Sequence, residues 1–401
     1  MPEHDYAYII VGGGLAGASA VEGIREIDVS GSVLLIGDEA HLPYHRPPLS
    51  KQLWLGKKKV EEIFIHDRQF YEKSNVTLAP GTEVAKIEPG KKTVRSAAGK
   101  TYHFGKLLLA TGGTPRRLSV PGGDLDGICY YRFLDDYLRM RKDTGEANSA
   151  VVVGGGFIGS EIAAALVANK ITVTMIFPEP YLCNRVFPGS LGMAIQDSYI
   201  GRGVTVMAGD RPQSFEKRGD VFITSTEKGR RIESDLLIVG IGIVPSAALA
   251  KEAGLRTDNG IAVDEYLRTS HPDVYAAGDN AVFPYQALGR QMRIEHWDNA
   301  LNQGKQAGRN MAGAGEAFTY MPYFFSDLFE FGYEAVGEVS AELETFADWQ
   351  KENDTGVIYY LKDRKVRGVM MCNIWEKVDA ARALISKGEQ VKPEGLRGLI
   401  R

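Results

Sequence analysis

The chain has 401 residues, and a prior of one domain per ~150 residues implies two or three domains. Hydrophobic residues make up 44% and charged ones 24%, a globular balance that excludes disorder and fibrous repeats. Lys plus Arg (47) nearly cancel Asp plus Glu (51), which argues against a dedicated nucleic-acid binder. The longest apolar run, residues 236–243, is far too short for a membrane span.

The chain begins MPEHDYAYIIVGGG. With no basic leader, signal core or Arg/Ser-rich transit segment there, a cytoplasmic protein is expected. Tyr8-Ile-Ile-Val11 predicts a short strand, followed by Gly12-Gly-Gly-Leu-Ala-Gly17, a helix through Glu26 and a second strand over 33–36 that ends in Gly37-Asp38-Glu39. The pattern recurs. Ala150-Val-Val-Val153 runs into Gly154-Gly-Gly-Phe-Ile-Gly159, then a helix over 160–168, a strand over 171–177 and Glu179. A single G-x-G-x-x-G is weak evidence, because this glycine content gives about 0.6 chance matches per chain. Two matches, each after a strand, before a helix and about 20 residues ahead of an acid, predict two Rossmann-like dinucleotide-binding domains. Gly12 and Gly154 make the tight turns, Gly14 and Gly156 admit a pyrophosphate, and Gly17 and Gly159 allow helix and strand to pack closely. The helix N-termini supply N–H groups and positive dipole to the phosphates.

Residues 107–114 form an apolar strand ending in Ala110-Thr111-Gly112, and residues 269–279 a second one ending in Gly278-Asp279. Both would end where a cofactor crosses, with Asp279 either binding ribityl hydroxyls or capping a turn. From about Gly313 the chain alternates aromatic and apolar residues as an antiparallel sheet would, and 380–387 closes as an amphipathic helix. Cys129, Cys183 and Cys372 are far apart and match no redox or metal spacing. His41 and His45 are spaced as on a helix, but Pro43 denies the helix, so no metal site is expected.

These segments resemble the FAD- and NAD(P)-dependent oxidoreductases of the glutathione-reductase fold. Leu42-Pro-Tyr-His-Arg-Pro-Pro-Leu-Ser-Lys51 and Glu295-His-Trp-Asp-Asn-Ala300 resemble ferredoxin reductases. Ala110–Arg116, Gly154–Glu161, Phe177-Pro-Glu179, Gly332-Tyr-Glu-Ala-Val-Gly337 and Gly356-Val-Ile-Tyr-Tyr-Leu361 are closer to apoptosis-inducing factor. The resemblance implies an α/β chain with FAD binding at 1–115 and 245–312, NAD binding at 116–244 and an α+β C-terminal domain at 313–401. It carries cofactor-binding roles to both glycine fingerprints, Asp38 or Glu39, Arg46, Lys51, Ala110, Thr111, Gly112, Ile158, Glu179, Gly242, Gly278, Asp279, Glu295 and His296. Phe325 stands where relatives tend to have Trp and is the candidate aromatic wall over the flavin.

Four residues are candidates for the chemistry itself. Lys51 would face the flavin, and Glu161 would pair with it and touch the nicotinamide amide; a helix-dipole carboxylate is the other reading of Glu161. Phe157, placed inside the glycine turn, would be a plate that the nicotinamide displaces, or a core Phe. His296 would lie near the flavin pyrimidine, or would simply start a helix. The implied function is hydride transfer from NADH to FAD and then electron transfer to a redox protein or quinone. The runner-up is a redox-sensing interaction protein that holds a long-lived reduced complex. A homodimer is left open, and a disulfide reductase is disfavoured because no cysteine falls at the position such enzymes use.

Overall fold

The computed structural model describes residues 5–401. Two compact units emerge. The first runs to His45 and takes in Val60–Thr114 and Pro245–Tyr323; the second comprises Arg46–Lys59, Pro115–Val244 and Phe324–Arg401.

In the first unit, the parallel strands Val76–Ala79, Val33–Ile36, Asp5–Val11, Thr101–Leu109 and Val274–Ala276 pair in that order, and an antiparallel pair, Thr93–Ser96 and Val84–Glu88, extends the sheet. Ile9, Ile10, Leu34, Leu107, Leu108 and Leu109 are almost fully buried, as continuous apolar strands covered on both faces should be. The fingerprint helix Leu15–Ile27 packs on the helix Trp297–Met311 at backbone distance. A Cβ on Gly304 would lie 2.2 Å from the Ala16 carbonyl oxygen, and one on Gly308 2.1 Å from that of Ala20. Only glycine permits this approach. Glu26 ties the pair with ion pairs to Lys305 and Arg309 at 2.6 and 2.5 Å.

The second unit repeats the motif, with parallel strands Thr205–Ala208, Thr172–Phe177, Ser149–Val153, Leu236–Val239 and Cys129–Tyr130 in that order. A three-stranded antiparallel sheet, Pro212–Arg218, Val221–Thr226 and Arg231–Ser234, contributes Phe215 and Phe222 to its core. The C-terminal part is a five-stranded antiparallel sheet, Tyr323–Leu328, Phe331–Gly337, Lys365–Cys372, Thr355–Lys362 and Glu344–Lys351. The helix Val378–Lys387 packs on two of its strands. No described helix is long and apolar enough to cross a membrane.

Candidate functional site

In the first unit the chain leaves Asp5–Val11 through Gly12, whose φ of +129° and close approach to Ala110 (a Cβ would sit 2.1 Å from its carbonyl oxygen) require glycine. Gly17 packs equally tightly on the Gly12 carbonyl oxygen. Gly14 is the N-cap of Leu15–Ile27 and supplies no side-chain cap, and nothing lies within 4 Å of where its Cβ would be. Open space over an uncapped helix N-terminus is the cradle that a pyrophosphate fits. Of the two acids that follow, Asp38 is exposed, its Oδ1 accepting from the Glu39 amide at 3.1 Å, while half-buried Glu39 accepts from the Tyr44 hydroxyl at 2.5 Å.

The other strand ends of this unit are held by side chains. Thr111 Oγ1 donates to the Ser246 carbonyl at 2.6 Å and accepts from Asn280 Nδ2 at 2.8 Å, while Gly112 accepts from the Ser246 amide. Buried Gln303 accepts from the Gly278 amide at 2.7 Å and so fixes the turn that presents Asp279. Arg293 donates to the Asp279 carbonyl at 2.9 Å and to Glu295 at 2.5 Å. His296 is the N-cap of Trp297–Met311. Burial pushes its imidazole down to about 4, with the Asp279 carboxylate opposing the shift.

The second unit builds its own glycine turn. Gly154 has φ +122° and packs on the Gly240 carbonyl, Gly159 packs on the Gly154 carbonyl, and Gly156 is an uncapped helix N-cap with open space at its Cβ position. The helix spans Phe157–Ala168 and so begins earlier than the expected residue 160. Two expectations change with it. Phe157 is the first helical residue rather than part of the turn; it is half-buried, its ring centroid 5.8 Å from that of Phe324 and 6.2 Å from that of Tyr333. Glu161 is the fifth helical residue, beyond the first turn where the dipole acts most strongly. Ile158 is 41% exposed. Glu179 follows Thr172–Phe177 as half-buried, and its carbonyl accepts from Gly209 at 3.0 Å. Lys228 Nζ lies 3.5 Å from the Cβ position of that same Gly209, a cation beside the Glu179 loop that sequence spacing does not reveal. Gly242 accepts from the Arg116 amide at 2.9 Å.

The densest chemistry in this unit surrounds Glu161, a carboxylate 6% exposed. Its Oε1 accepts from Lys51 Nζ at 3.1 Å and from the Ser326 hydroxyl at 2.5 Å, and its Oε2 from the Ser50 hydroxyl at 2.5 Å. Three remote segments thus meet on one carboxyl group, and each buried oxygen is satisfied, as a buried charge requires. Lys51 also reaches Asp327 at 3.5 Å and lies 4.5 Å from the ring centroid of Phe325. The short helical turn Pro47–Ser50 presents Ser50 and Lys51. Behind it, the buried Tyr131 hydroxyl donates to the Leu49 carbonyl and accepts from Trp54 Nε1 at 3.2 Å. Arg46 lies 5.1 Å from the Phe133 ring centroid and donates to the Arg132 carbonyl at 3.0 Å. The structure therefore brings Lys51, Glu161 and Phe325 together. Ser50, Ser326, Asp327 and Tyr131 are added partners that carry no local sequence signal.

The cysteines are buried. Burial pushes the Cys129 and Cys183 thiols up to about 12 and raises that of Cys372 as well, which starves them of the thiolate that disulfide exchange needs.

A family model for pyridine nucleotide-disulphide oxidoreductases matches residues 6–304. One for the C-terminal part of mitochondrion-associated apoptosis-inducing factor matches residues 307–355 and 347–387. Rubredoxin-NAD(+) reductase of Pseudomonas putida is 35% identical over 80% of this chain and 84% of its own. Monodehydroascorbate reductase 2 of Arabidopsis thaliana is 34% identical over 98% of each chain. A chain from the crystal structure of the covalent putidaredoxin reductase–putidaredoxin complex superposes with a TM-score of 0.91 at 32% identity, over 98% of this chain and 95% of that one. Two uncapped glycine turns with room for a pyrophosphate, thiols too buried for disulfide chemistry and these relatives lead to one assignment: the chain belongs to the pyridine nucleotide-disulphide oxidoreductase family, as an FAD- and NAD(H)-dependent enzyme.

Proposed function

We propose that this enzyme oxidises NADH at the Lys51–Glu161 cluster and passes the electrons to a ferredoxin- or rubredoxin-type carrier, with quinones as the second acceptor class. The buried Glu161 carboxylate, fixed by one lysine and two serines on the helix that the second glycine turn opens, is the observation that supports this reading. When bound, FAD supplies the redox chemistry by accepting a hydride and releasing electrons one at a time. The residues supply position and charge. Gly12, Gly14 and Gly17 would cradle the FAD pyrophosphate, Asp38 or Glu39 its ribose and Asp279 its ribityl chain, with Ala110, Thr111, Gly112, Gly278, Glu295, His296 and Arg46 as further contacts. Gly154, Gly156, Ile158, Gly159 and Gly242 would hold NAD(H), with Glu179 on its adenosine ribose. Glu161 would accept from the nicotinamide amide, Phe157 would yield its place to the ring, and Lys51 and Phe325 would flank the flavin. His296, held neutral at pH 7 by its lowered pKa, can act there as a hydrogen-bonding group without adding charge.

The reading divides the chain into FAD-binding residues 1–115 and 245–312, NAD-binding residues 116–244 and a C-terminal domain at 313–401, in a cytoplasmic enzyme. The relatives are reductases of carrier proteins and of monodehydroascorbate, which favours turnover over a long-lived reduced complex. Anaerobic titration with NADH, followed by mixing with ferredoxin, rubredoxin, a quinone or dioxygen, tests the proposal. Bleaching by NADH and fast recovery with a carrier protein is the expected result. Recovery no faster with any carrier than with dioxygen would refute the carrier assignment, and sedimentation before and after reduction reports whether a homodimer forms.

A further inference from the structure

Lys51 stands between two unlike carboxylates. Its Nζ is 3.1 Å from Glu161 Oε1 and 3.5 Å from Asp327 Oδ2; the Glu161 side chain is 7% exposed and that of Asp327 54%. Glu161 is crowded, with Lys51 and Ser326 on one oxygen and Ser50 on the other. A carboxylate offers about four lone-pair positions, so an arriving amide donor must take the last one or displace a donor already there. A serine hydroxyl has a single proton to donate, and Ser50 could move it only to a neutral acceptor, the Pro47 carbonyl at 3.5 Å. Lys51 has a charged alternative at the same distance, because an ammonium carries three rotatable donors on a flexible stem and Asp327 is already within ion-pair reach.

We propose that Asp327 is the second seat of the Lys51 ammonium, a positioning residue that takes up the lysine when the nicotinamide amide competes for Glu161. This rests on the nicotinamide binding at Glu161, as read above. The site would then select for the amide by exchanging one donor for another on Glu161, with Lys51 keeping a carboxylate partner throughout.

The test uses the FAD-loaded enzyme, with NAD+ as the binding probe, in wild type, Asp327→Asn, Asp327→Glu and Glu161→Gln. Asp327→Asn should weaken NAD+ binding about fivefold and raise the KM for NADH by a similar factor, while kcat changes less than twofold. It should also raise the flavin midpoint potential, since a negative charge beside Lys51 has gone. Asp327→Glu should restore binding to within about twofold of wild type. Unchanged NAD+ binding and potential in Asp327→Asn would overturn the proposal, as would a loss confined to kcat. Glu161→Gln separates the two ideas. If it leaves NAD+ binding untouched, the nicotinamide does not bind there and the underlying reading falls. If it weakens binding while Asp327→Asn does not, only the second seat is refuted.

Discussion

Replacing Glu161 gives the sharpest reading of the site, because its environment sets different outcomes for two substitutions. Glu161→Ala removes the acceptor of two serine hydroxyls and one of the two carboxylates beside Lys51. Breaking a buried ion pair on one side costs ~3–5 kcal/mol, but Asp327 remains 3.5 Å from the ammonium and relieves part of this. Each of the two stranded hydroxyls adds ~1 kcal/mol, so with about half of the ion-pair cost relieved the net loss should be ~3.5–4.5 kcal/mol. Glu161→Gln keeps the shape. Its amide oxygen can face Lys51 and Ser326, and its NH2 can face Ser50, whose hydroxyl turns to accept; the cost should fall to ~1–2 kcal/mol. Denaturant midpoints should therefore rank wild type above Gln and Gln above Ala. In anaerobic stopped flow with NADH, hydride transfer in Glu161→Ala should slow at least tenfold, about 1.4 kcal/mol of barrier. An unchanged rate with lowered stability would make Glu161 a structural tie alone and end its assignment to the nicotinamide.

Other expectations follow from the two units. Asp38→Ala should weaken FAD retention by ~1.5–3 kcal/mol, the worth of a charged hydrogen bond, as read by dialysis against apoprotein; if retention is unchanged, the ribose acid is Glu39, held by Tyr44. NADH should be used at least ~100-fold better than NADPH in kcat/KM, from a lost charged bond of ~1.5–3 kcal/mol plus repulsion at Glu179. Equal use of both cofactors by the wild type would remove Glu179 from the ribose. For His296, the unfolded chain takes up a proton near 6.5 that the folded imidazole refuses until about 4. This part of the stability is complete above pH 6.5 and falls as acid is added toward 4. Denaturant midpoints of wild type and His296→Asn at both ends of that window should show a shallower pH slope in the variant, and parallel slopes would contradict the shift.

The glycine turns were readable because their chemistry is local: turn, close approach and helix start fall within six residues, and the structure keeps each in place. The second helix starts earlier than propensity predicts: Gly-Phe-Ile-Gly is a poor helix former, yet Gly156 is extended and Phe157 already helical. Family resemblance implies the pairing of Lys51 with Glu161, whereas spacing does not, since 110 positions separate them. Ser50, Ser326 and Asp327 were beyond reach for a related reason. A serine in a strand or a turn looks the same whether it meets water or a buried carboxylate, and only tertiary packing decides. Tyr131 is the same case, an apolar-looking ring whose hydroxyl anchors the loop that carries Lys51.

The helix pair Leu15–Ile27 and Trp297–Met311 bears on how the protein is made. Ala16 and Ala20 are covered by Gly304 and Gly308, which leave the ribosome only after the whole second glycine-turn region has been synthesised. Until then the N-terminal helix has a bare small-residue face, and helix and first strand cannot complete their layer. Closing so long a loop adds only slowly growing entropy, so the delay arises from the order of synthesis more than from thermodynamics. Nascent chains halted before residue 297 should thus be unable to retain FAD and should engage chaperones, whereas chains released past residue 311 can close the first unit and load the cofactor after synthesis.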